Sequence, residues 1–276
     1  MLGQSFLNRF NSWSIDNKRQ VLLLNPPSDR PQSAPSIPIT VDNNKLIQSV
    51  MTEYYGSYSK EHNCWISNHG GTNYCMKPAH LDIVGNDANR KILIAVSGPK
   101  LDEDGQPEEC HACVGALGLF VLAEAGSQFR IVAKNGLFED FGEYGGAPGD
   151  AFSVRKLGPQ GSYAWLIKME YGGFGSYSDV VQIYGVVGDG VVSLGSVTTR
   201  SRENDKGDES CDLTDGPRCT DISGDLVIDA NSPAGTFYPL VLRASGIRQG
   251  QPFESTDRFV FDERALKYMA PQNMRW

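Results

Sequence analysis

The sequence has no long hydrophobic run, no excess of positive charge and no recognisable leader. Its longest apolar stretch, VGALGLFVLAEA at residues 114–125, is too short to cross a bilayer as a helix. The chain carries 25 basic and 33 acidic residues, and the resulting net charge of −8 argues against binding to nucleic acid, because phosphate contacts need a basic surface. No charged segment followed by an apolar run and a cleavage site opens the chain, so we expect that any signal peptide has been removed.

The motifs that mark many catalytic and cofactor sites are missing as well. We find no G-x-S-x-G elbow, no H-E-x-x-H, no P-loop and no G-x-G-x-x-G before a helix. SCDLTDG at residues 210–216 lacks the alternating acidic ligands of an EF-hand loop. We therefore predict no cofactor, no resident metal and no catalytic residue, and hence a protein that is not an enzyme.

Turn-forming residues, by contrast, are abundant, with 30 glycines and 15 prolines. Between them lie short segments rich in β-branched and aromatic residues, which predict strands: RKILIAVSG, VGALGLFVLAEA, SQFRIVAK, AFSVRKLG, SYAWLIKMEYG, SDVVQIYGVVGDG, VVSLGSVTTR, GDLVIDA and YPLVLRASG. One face of SYAWLIKMEYG is predicted to carry the alternating residues Tyr163, Trp165, Ile167 and Met169. Strands joined by tight turns must be antiparallel, because a parallel crossover needs about a dozen residues or more. We predict a mainly β (α+β) fold, an antiparallel meander that forms a sandwich or a curved sheet, with one or two peripheral helices.

The sequence divides into two predicted parts. Residues 25–40, NPPSDRPQSAPSIPIT, hold five prolines and little that could pack in a core, so we interpret them as an extended arm. The prediction is an N-terminal segment with this proline-rich arm, residues 1–40, followed by a single β-rich domain, residues 41–276.

Helical spacing occurs at two places near the start of the chain. Leu46, Val50 and Tyr54 follow an Asp/Asn start, which predicts a helix over residues 43–56 that ends at a glycine. In the first segment, one face of a short helix would carry Leu2, Phe6, Phe10 and Trp13.

Six cysteines fall into three close pairs: Cys64 with Cys75, Cys110 with Cys113, and Cys211 with Cys219. Fifteen connectivities are possible for six cysteines, and local spacing favours this nearest-neighbour set. In CWISNHGGTNYC two central glycines would let the first pair meet across a hairpin, and CDLTDGPRC has Asp-Gly-Pro in the same role. An even number of paired cysteines is typical of an oxidising compartment, so we predict disulfides and a periplasmic location.

The CHAC run at residues 110–113 has other interpretations. A c-type haem site needs histidine directly after the second cysteine, where Val114 stands. A thioredoxin-like dithiol needs its first cysteine at a helix N-terminus, whereas a strand pattern follows Cys113. A structural zinc site remains open, because all four histidines and four of the cysteines lie between residues 62 and 113, although the ten-residue gap of the first pair does not match a zinc knuckle.

One segment carries most of the negative charge. Residues 203–225 contain eight acidic and two basic residues, a net charge of −6. Such a run is often only a solvated face, but a rigid loop of one charge sign can also enter a basic cleft with little ordering cost. We predict that the partner is bound by Asp208, Glu209, Asp212 and Asp215.

Two glycine–aromatic loops offer an alternative binding site. They are FGEYGGAPG at residues 141–149 and YGGFGSYS at residues 171–178. A ligand site in the second loop would be lined by Tyr171, Phe174 and Tyr177. On this alternative the protein is a periplasmic hydrolase or a carbohydrate-binding protein.

Five short runs resemble a known group of proteins. They are YCMKP at residues 74–78, CHACVGALGLFVL at 110–122, FGEYGGAP at 141–148, YPLVL at 238–242 and FDERALKY at 261–268. They resemble uncharacterised bacterial periplasmic proteins that are similar to the immunity partners of type VI secretion effectors. The resemblance implies a disulfide-bearing β protein that binds and blocks a toxin. We therefore expect a non-catalytic immunity-type inhibitor of an antibacterial effector in the periplasm, with a protein partner, no nucleic acid and no membrane span.

Overall fold

The computed structural model describes residues 12–16, 21–25, 43–86, 89–108, 110, 112–125, 128–143, 145–173, 175–204, 219–232 and 235–271. The chain divides into two compact units, Met1–Asp42 and Asn43–Trp276. In chain order the elements are β1 (Ser12–Asp16), β2 (Val21–Asn25), α1 (Asn43–Tyr55), β3 (Tyr58–Ser59), β4 (Cys64–His69), β5 (Thr72–Val84), β6 (Lys91–Pro99), β7 (Gly115–Ala125), β8 (Gln128–Phe141), a 3-10 turn (Gly149–Ala151), β9 (Phe152–Lys156), β10 (Tyr163–Gly173), β11 (Ser176–Val187), β12 (Gly190–Asn204), β13 (Cys219–Ile228), β14 (Leu240–Arg248), β15 (Gln251–Asp262) and β16 (Lys267–Met269).

In the first unit, β1 and β2 pair antiparallel. Trp13 lies in β1, so the predicted helical face does not form at this residue. The reason is visible in SWSID, where Trp13 and Ile15 alternate with polar residues at the period of a strand. The rest of that face, Leu2, Phe6 and Phe10, and the proline-rich residues 26–40 lie outside the described residues.

Fourteen strands of the second unit form one sheet. Its order is β16-β15-β14-β13-β12-β8-β7-β6-β5-β4-β3, and β11, β10 and β9 branch from β12. From β3 to β8 and from β9 to β16, each strand pairs antiparallel with the next one in the chain. Among the described residues, β8 meets β12 in the one parallel contact, between Lys134 and Gly190. The predicted mainly β fold and antiparallel meander are confirmed.

Hydrophobic clusters lie on both faces of β10, so this strand is covered by packed side chains on each side. Trp165, Ile167 and Met169 are buried in a first cluster, and Tyr163 packs against it, as the alternation predicts. The intervening Ala164 belongs to a second cluster. The first cluster joins β10 to β6, β7 and β8 through residues that include Leu93, Leu117, Leu119 and Ala133, and the second joins it to β14, β15 and β16 through Leu240, Leu242, Phe259 and Tyr268.

Helix α1 covers the β7–β8 part of the sheet, and the predicted helix over 43–56 is confirmed. The Tyr55 hydroxyl donates a hydrogen bond of 2.6 Å to the Gly136 carbonyl, and the Tyr55 ring meets Phe120 edge to face. A Cβ atom at Gly136 would lie 1.8 Å from the Tyr54 ring, so glycine is required there for the helix to approach the sheet. Burial raises the pKa of Tyr55, which keeps its hydroxyl protonated and able to donate.

Candidate functional site

The acidic segment connects two strands that are paired at the point where it begins and ends. The predicted partner-binding residues Asp208, Glu209, Asp212 and Asp215 lie within 205–218, outside the described residues. Residues 205–218 join Asn204 at the end of β12 to Cys219 at the start of β13, and these two residues stand opposite each other in the antiparallel register. The central part of the acidic segment, residues 205–218, is therefore the connection of a β-hairpin.

Two neighbouring turns are hydrogen-bonded to the ends of this connection. The Asn204 N–H donates to the Gly175 carbonyl in the β10–β11 turn at 3.0 Å, and the Gly250 N–H in the β14–β15 turn donates to the Cys219 carbonyl at 3.0 Å. In the same turn the Gln249 N–H donates to the Thr220 hydroxyl at 3.3 Å. Three hairpin ends thus meet at one end of the sheet, and the acidic segment starts and finishes at fixed backbone positions.

Two of the three predicted cysteine pairs form disulfides, Cys64–Cys75 and Cys110–Cys113. Cys219 is buried and disulfide-bonded as well, and its predicted partner Cys211 lies outside the described residues. Because the first four sulfurs are bonded to one another, they do not provide the thiolates that a zinc site would need. No group of three or more His, Cys, Asp or Glu side chains in the described ranges is placed to hold a metal ion.

Charged side chains of four strands meet at the base of the acidic segment. The Lys168 ammonium on β10 lies 3.0 Å from an Asp179 carboxylate oxygen on β11 and 3.4 Å from Glu170. On β12 and β13, the Arg200 guanidinium lies 3.8 Å from the Asp221 carboxylate. Only 10% of the Asp179 side chain is exposed, against 51% for Lys168, so the carboxylate is the buried member of its pair.

Tyr177 lies beside this cluster and in register with Arg202. The Arg200 guanidinium lies 5.5 Å from the centre of the Tyr177 ring, within the range of a cation–π contact. Burial, followed by hydrogen bonding to the carboxylates of Asp179 and Glu170, raises the pKa of Tyr177. The phenol is therefore a neutral hydrogen-bond donor at physiological pH.

A cavity of about 600 Å³ opens beside the charged groups and is also bordered by the hydroxyl-bearing residues Thr199, Ser223 and Ser245. Asp179 and Arg200 border it from directly opposite positions on β11 and β12, next to a β-bulge. Their atoms Oδ1 and Nε are buried and have no hydrogen-bond partner in the described part of the chain. A buried acceptor and a buried donor are thus left unsatisfied beside a polar cavity, which is the kind of exception that needs a functional or structural reason.

The base of the acidic segment is less negative than the sequence count indicates. Asp221 belongs to residues 203–225, but the basic side chain that approaches it, Arg200, lies on the neighbouring strand and outside this range. The undescribed connection, residues 205–218, keeps five acidic and two basic residues, a net charge of −3. The connection therefore carries half of the net charge of −6 of the whole segment.

Tyr171 and Tyr177, which were predicted to line a ligand site together with Phe174, do not share a face of the sheet. Tyr177 stands opposite Gly172 in the β10–β11 register, so Tyr171 and Tyr177 lie on opposite faces of the sheet. Tyr171 packs against the first hydrophobic cluster, and Phe174 lies outside the described residues. In the other loop, the Gly145 N–H donates to the Cys113 carbonyl at 2.7 Å, which ties residues 141–149 to the CHAC run.

No protein-family model, no curated protein and no solved structure matches this chain. Within the described residues, helices fall short of the length and apolar character required to span a membrane.

Lys168, Asp179 and Arg200 were missed in the sequence because they have no common motif. They lie on three different strands and meet through the cross-strand register, in which Lys168 stands opposite Val181 and Asp179 opposite Arg200. The available signal was weak: single charged residues inside otherwise apolar strand patterns, at positions where a half-buried strand needs a partner for each charge.

Proposed function

We propose that this protein is a non-catalytic binding protein, an immunity-type inhibitor that blocks an antibacterial secreted effector in the periplasm. The observation that carries the proposal is the meeting of three hairpin ends, which fixes both ends of the acidic connection through Asn204, Cys219 and their hydrogen bonds. Disulfides at Cys64–Cys75 and Cys110–Cys113 support an oxidising compartment. The resemblance to periplasmic immunity partners supports the same role.

The physical reason is the low cost of ordering a connection whose ends are already fixed. Ordering a mobile loop on binding costs free energy and weakens the complex. This cost is smaller for a loop whose two ends are already held at paired strand ends. Negative charge at residues 205–218 would guide the segment toward a basic cleft and accelerate encounter. Enzymes that cut peptidoglycan or phospholipid often have such clefts.

The test replaces the predicted contact residues and measures protection. Asp208, Glu209, Asp212 and Asp215 are changed to Asn or Gln, and the variant is produced in the periplasm of susceptible cells together with a secreted effector against which the wild type protects. We expect protection to fall and the association rate with the purified effector to drop, with a smaller difference at high salt.

The control variant removes the same charge elsewhere. It neutralises the exposed residues Glu53, Glu61, Glu103 and Asp104, which lie on α1 and on the β3–β4 and β6–β7 connections. We expect it to protect as the wild type does. Equal protection and equal association rates for the two quadruple variants would contradict the role of the acidic segment.

A further inference from the structure

Strand β10 has a stretch of edge that no described strand covers. On one side it pairs with β11 as far as Gly173. On the other side it pairs with β9 only over Tyr163–Ile167, because β9 begins at Phe152. Among the described residues, Lys168 to Gly173 therefore have no strand on this side, which we call the free side, and an uncovered strand edge is a template for pairing with another chain.

The hydrogen bonds of β9 establish which backbone groups point to this free side. The Ser153 hydroxyl donates to the Leu166 carbonyl at 3.2 Å, so Leu166 directs its backbone polar groups toward β9. In an antiparallel strand, the N–H and C=O of one residue point the same way and alternate residues share that direction. Lys168, Glu170 and Gly172 consequently present their N–H and C=O groups to the free side.

A cavity lies directly beside this edge. It has a volume of about 530 Å³ and is formed between Lys168, Met169 and Glu170 on β10 and the loop that includes Pro148 and Asp150. This volume falls in the range of about 300–1,000 Å³ that is usual for ligand sites. If β9 were longer, it would occupy this cavity. The cavity is open, and the loop with Pro148 and Asp150 borders it on the side opposite β10.

The charges around the cavity favour a basic occupant. Asp150 and Glu170 are exposed carboxylates that border it. The one basic residue that borders it, Lys168, is already paired with Asp179 and Glu170. Met169, the third β10 residue at the cavity, contributes no charge and is largely buried in the hydrophobic core.

We propose that the free edge of β10, from Lys168 to Gly172, binds an extended basic peptide segment of the partner as an added β-strand. Backbone hydrogen bonds would supply affinity, and the two carboxylates would select lysine or arginine side chains. This inference rests on the proposed function, because it names a second contact on the same partner. The edge leads directly to the β10–β11 turn, where Gly175 accepts the hydrogen bond from Asn204, so both contacts lie at the same end of the sheet.

The experiment uses the full chain and a fluorescein-labelled, end-capped hexapeptide of alternating valine and lysine, with fluorescence anisotropy as the readout. We expect this peptide to bind, and the same peptide with glutamate in place of lysine to bind at least about tenfold more weakly. Two further peptides carry N-methyl groups on alternate backbone nitrogens, one peptide at the odd-numbered residues and the other at the even-numbered residues; we call these the two phases. One phase should lose about tenfold or more in affinity and the other should not, because only one set of N–H groups faces β10.

Two substitutions on the protein separate backbone from charge. Glu170→Pro removes an N–H that faces the free side, so it removes no β10–β11 hydrogen bond, and proline is tolerated at such edge positions. This substitution should weaken peptide binding by about tenfold. Glu170→Gln keeps the N–H and should weaken binding by only about twofold to fivefold, with a difference that shrinks at high salt. If Glu170→Pro does not fold, the two N-methylated peptides on the wild-type protein give the same answer.

Equal affinity for the lysine and glutamate peptides, or equal affinity for both N-methylated forms and the parent peptide, would overturn the proposal. Failure of the proposed β10-edge contact is distinguishable from failure of the proposed inhibitor function. Loss of protection in the acidic-segment variant together with no peptide binding would leave the inhibitor role in place and remove the β10 edge from it.

Discussion

Replacing Cys64 and Cys75 by alanine should destabilise the protein more than replacing Cys110 and Cys113. The first pair is 11 residues apart and the second 3. Loop-closure entropy gives about 3 kcal/mol for the longer loop and about 2 kcal/mol for the shorter one. Cys64 and Cys75 are also fully buried and pack with Leu101, so alanine leaves unfilled space there, which adds about 1 kcal/mol. Cys110 is exposed and adds no such cost.

The assay is urea unfolding of the oxidised protein, with the free energy of unfolding compared between the wild type and the two double-alanine variants. Alkylation after mild reduction of the folded protein gives an independent check, and Cys110–Cys113 should open first because a reductant can reach it. A larger loss of stability for the Cys110/Cys113 variant, or equal losses for both, would refute the reasoning from loop length and burial.

Three further substitutions test contacts in the sheet, each by chemical denaturation. Asp179→Asn should cost about 1 kcal/mol, because the half-exposed Lys168 recovers water when it loses its carboxylate partner. The hydrogen bond to Asp179 raises the pKa of Lys168, so this contribution is fully present below the ordinary lysine pKa of about 10.4 and should be lost as the pH rises from there through the raised pKa of Lys168. Tyr55→Phe should cost about 1–2 kcal/mol by leaving the Gly136 carbonyl without its donor. Gly136→Ala should cost about 1–3 kcal/mol, because the Tyr54 ring must move; no measurable loss in any of the three would contradict the corresponding contact.

Local patterns predicted the elements and the antiparallel pairing, since these depend on neighbours in the chain. The alternation around Trp165 identified a core face, and the spacing around Val50 identified α1. The strand at Trp13 was missed because helical spacing of four large apolar residues was given more weight than the alternation in SWSID.

The candidate site could not be predicted in the same way, because it depends on register and on where strands end. Lys168 and Asp221 are far apart in the chain, and they border one cavity only because β10 to β13 pair in succession. The free edge of β10 exists because β9 begins at Phe152, and a pattern of β-branched residues predicts strand ends poorly. The charge of a surface likewise depends on residues from adjacent strands.

The two proposed contacts should act on different rate constants. Charges at the rim of an interface chiefly change the association rate, whereas hydrogen bonds formed after docking chiefly change the dissociation rate. Neutralising Asp208, Glu209, Asp212 and Asp215 should therefore lower the association rate with the effector, and Glu170→Pro should raise the dissociation rate.

Surface plasmon resonance on both variants and on their combination tests this separation. If the acidic connection and the β10 edge bind independently, the free-energy changes should add to within about 0.5 kcal/mol. A combined variant no weaker than the acidic-segment variant alone would mean that the edge contributes nothing once the segment is disabled. Such a result would make the hydrogen bond between Asn204 and Gly175 a means of holding the segment in place, with no strand added at β10.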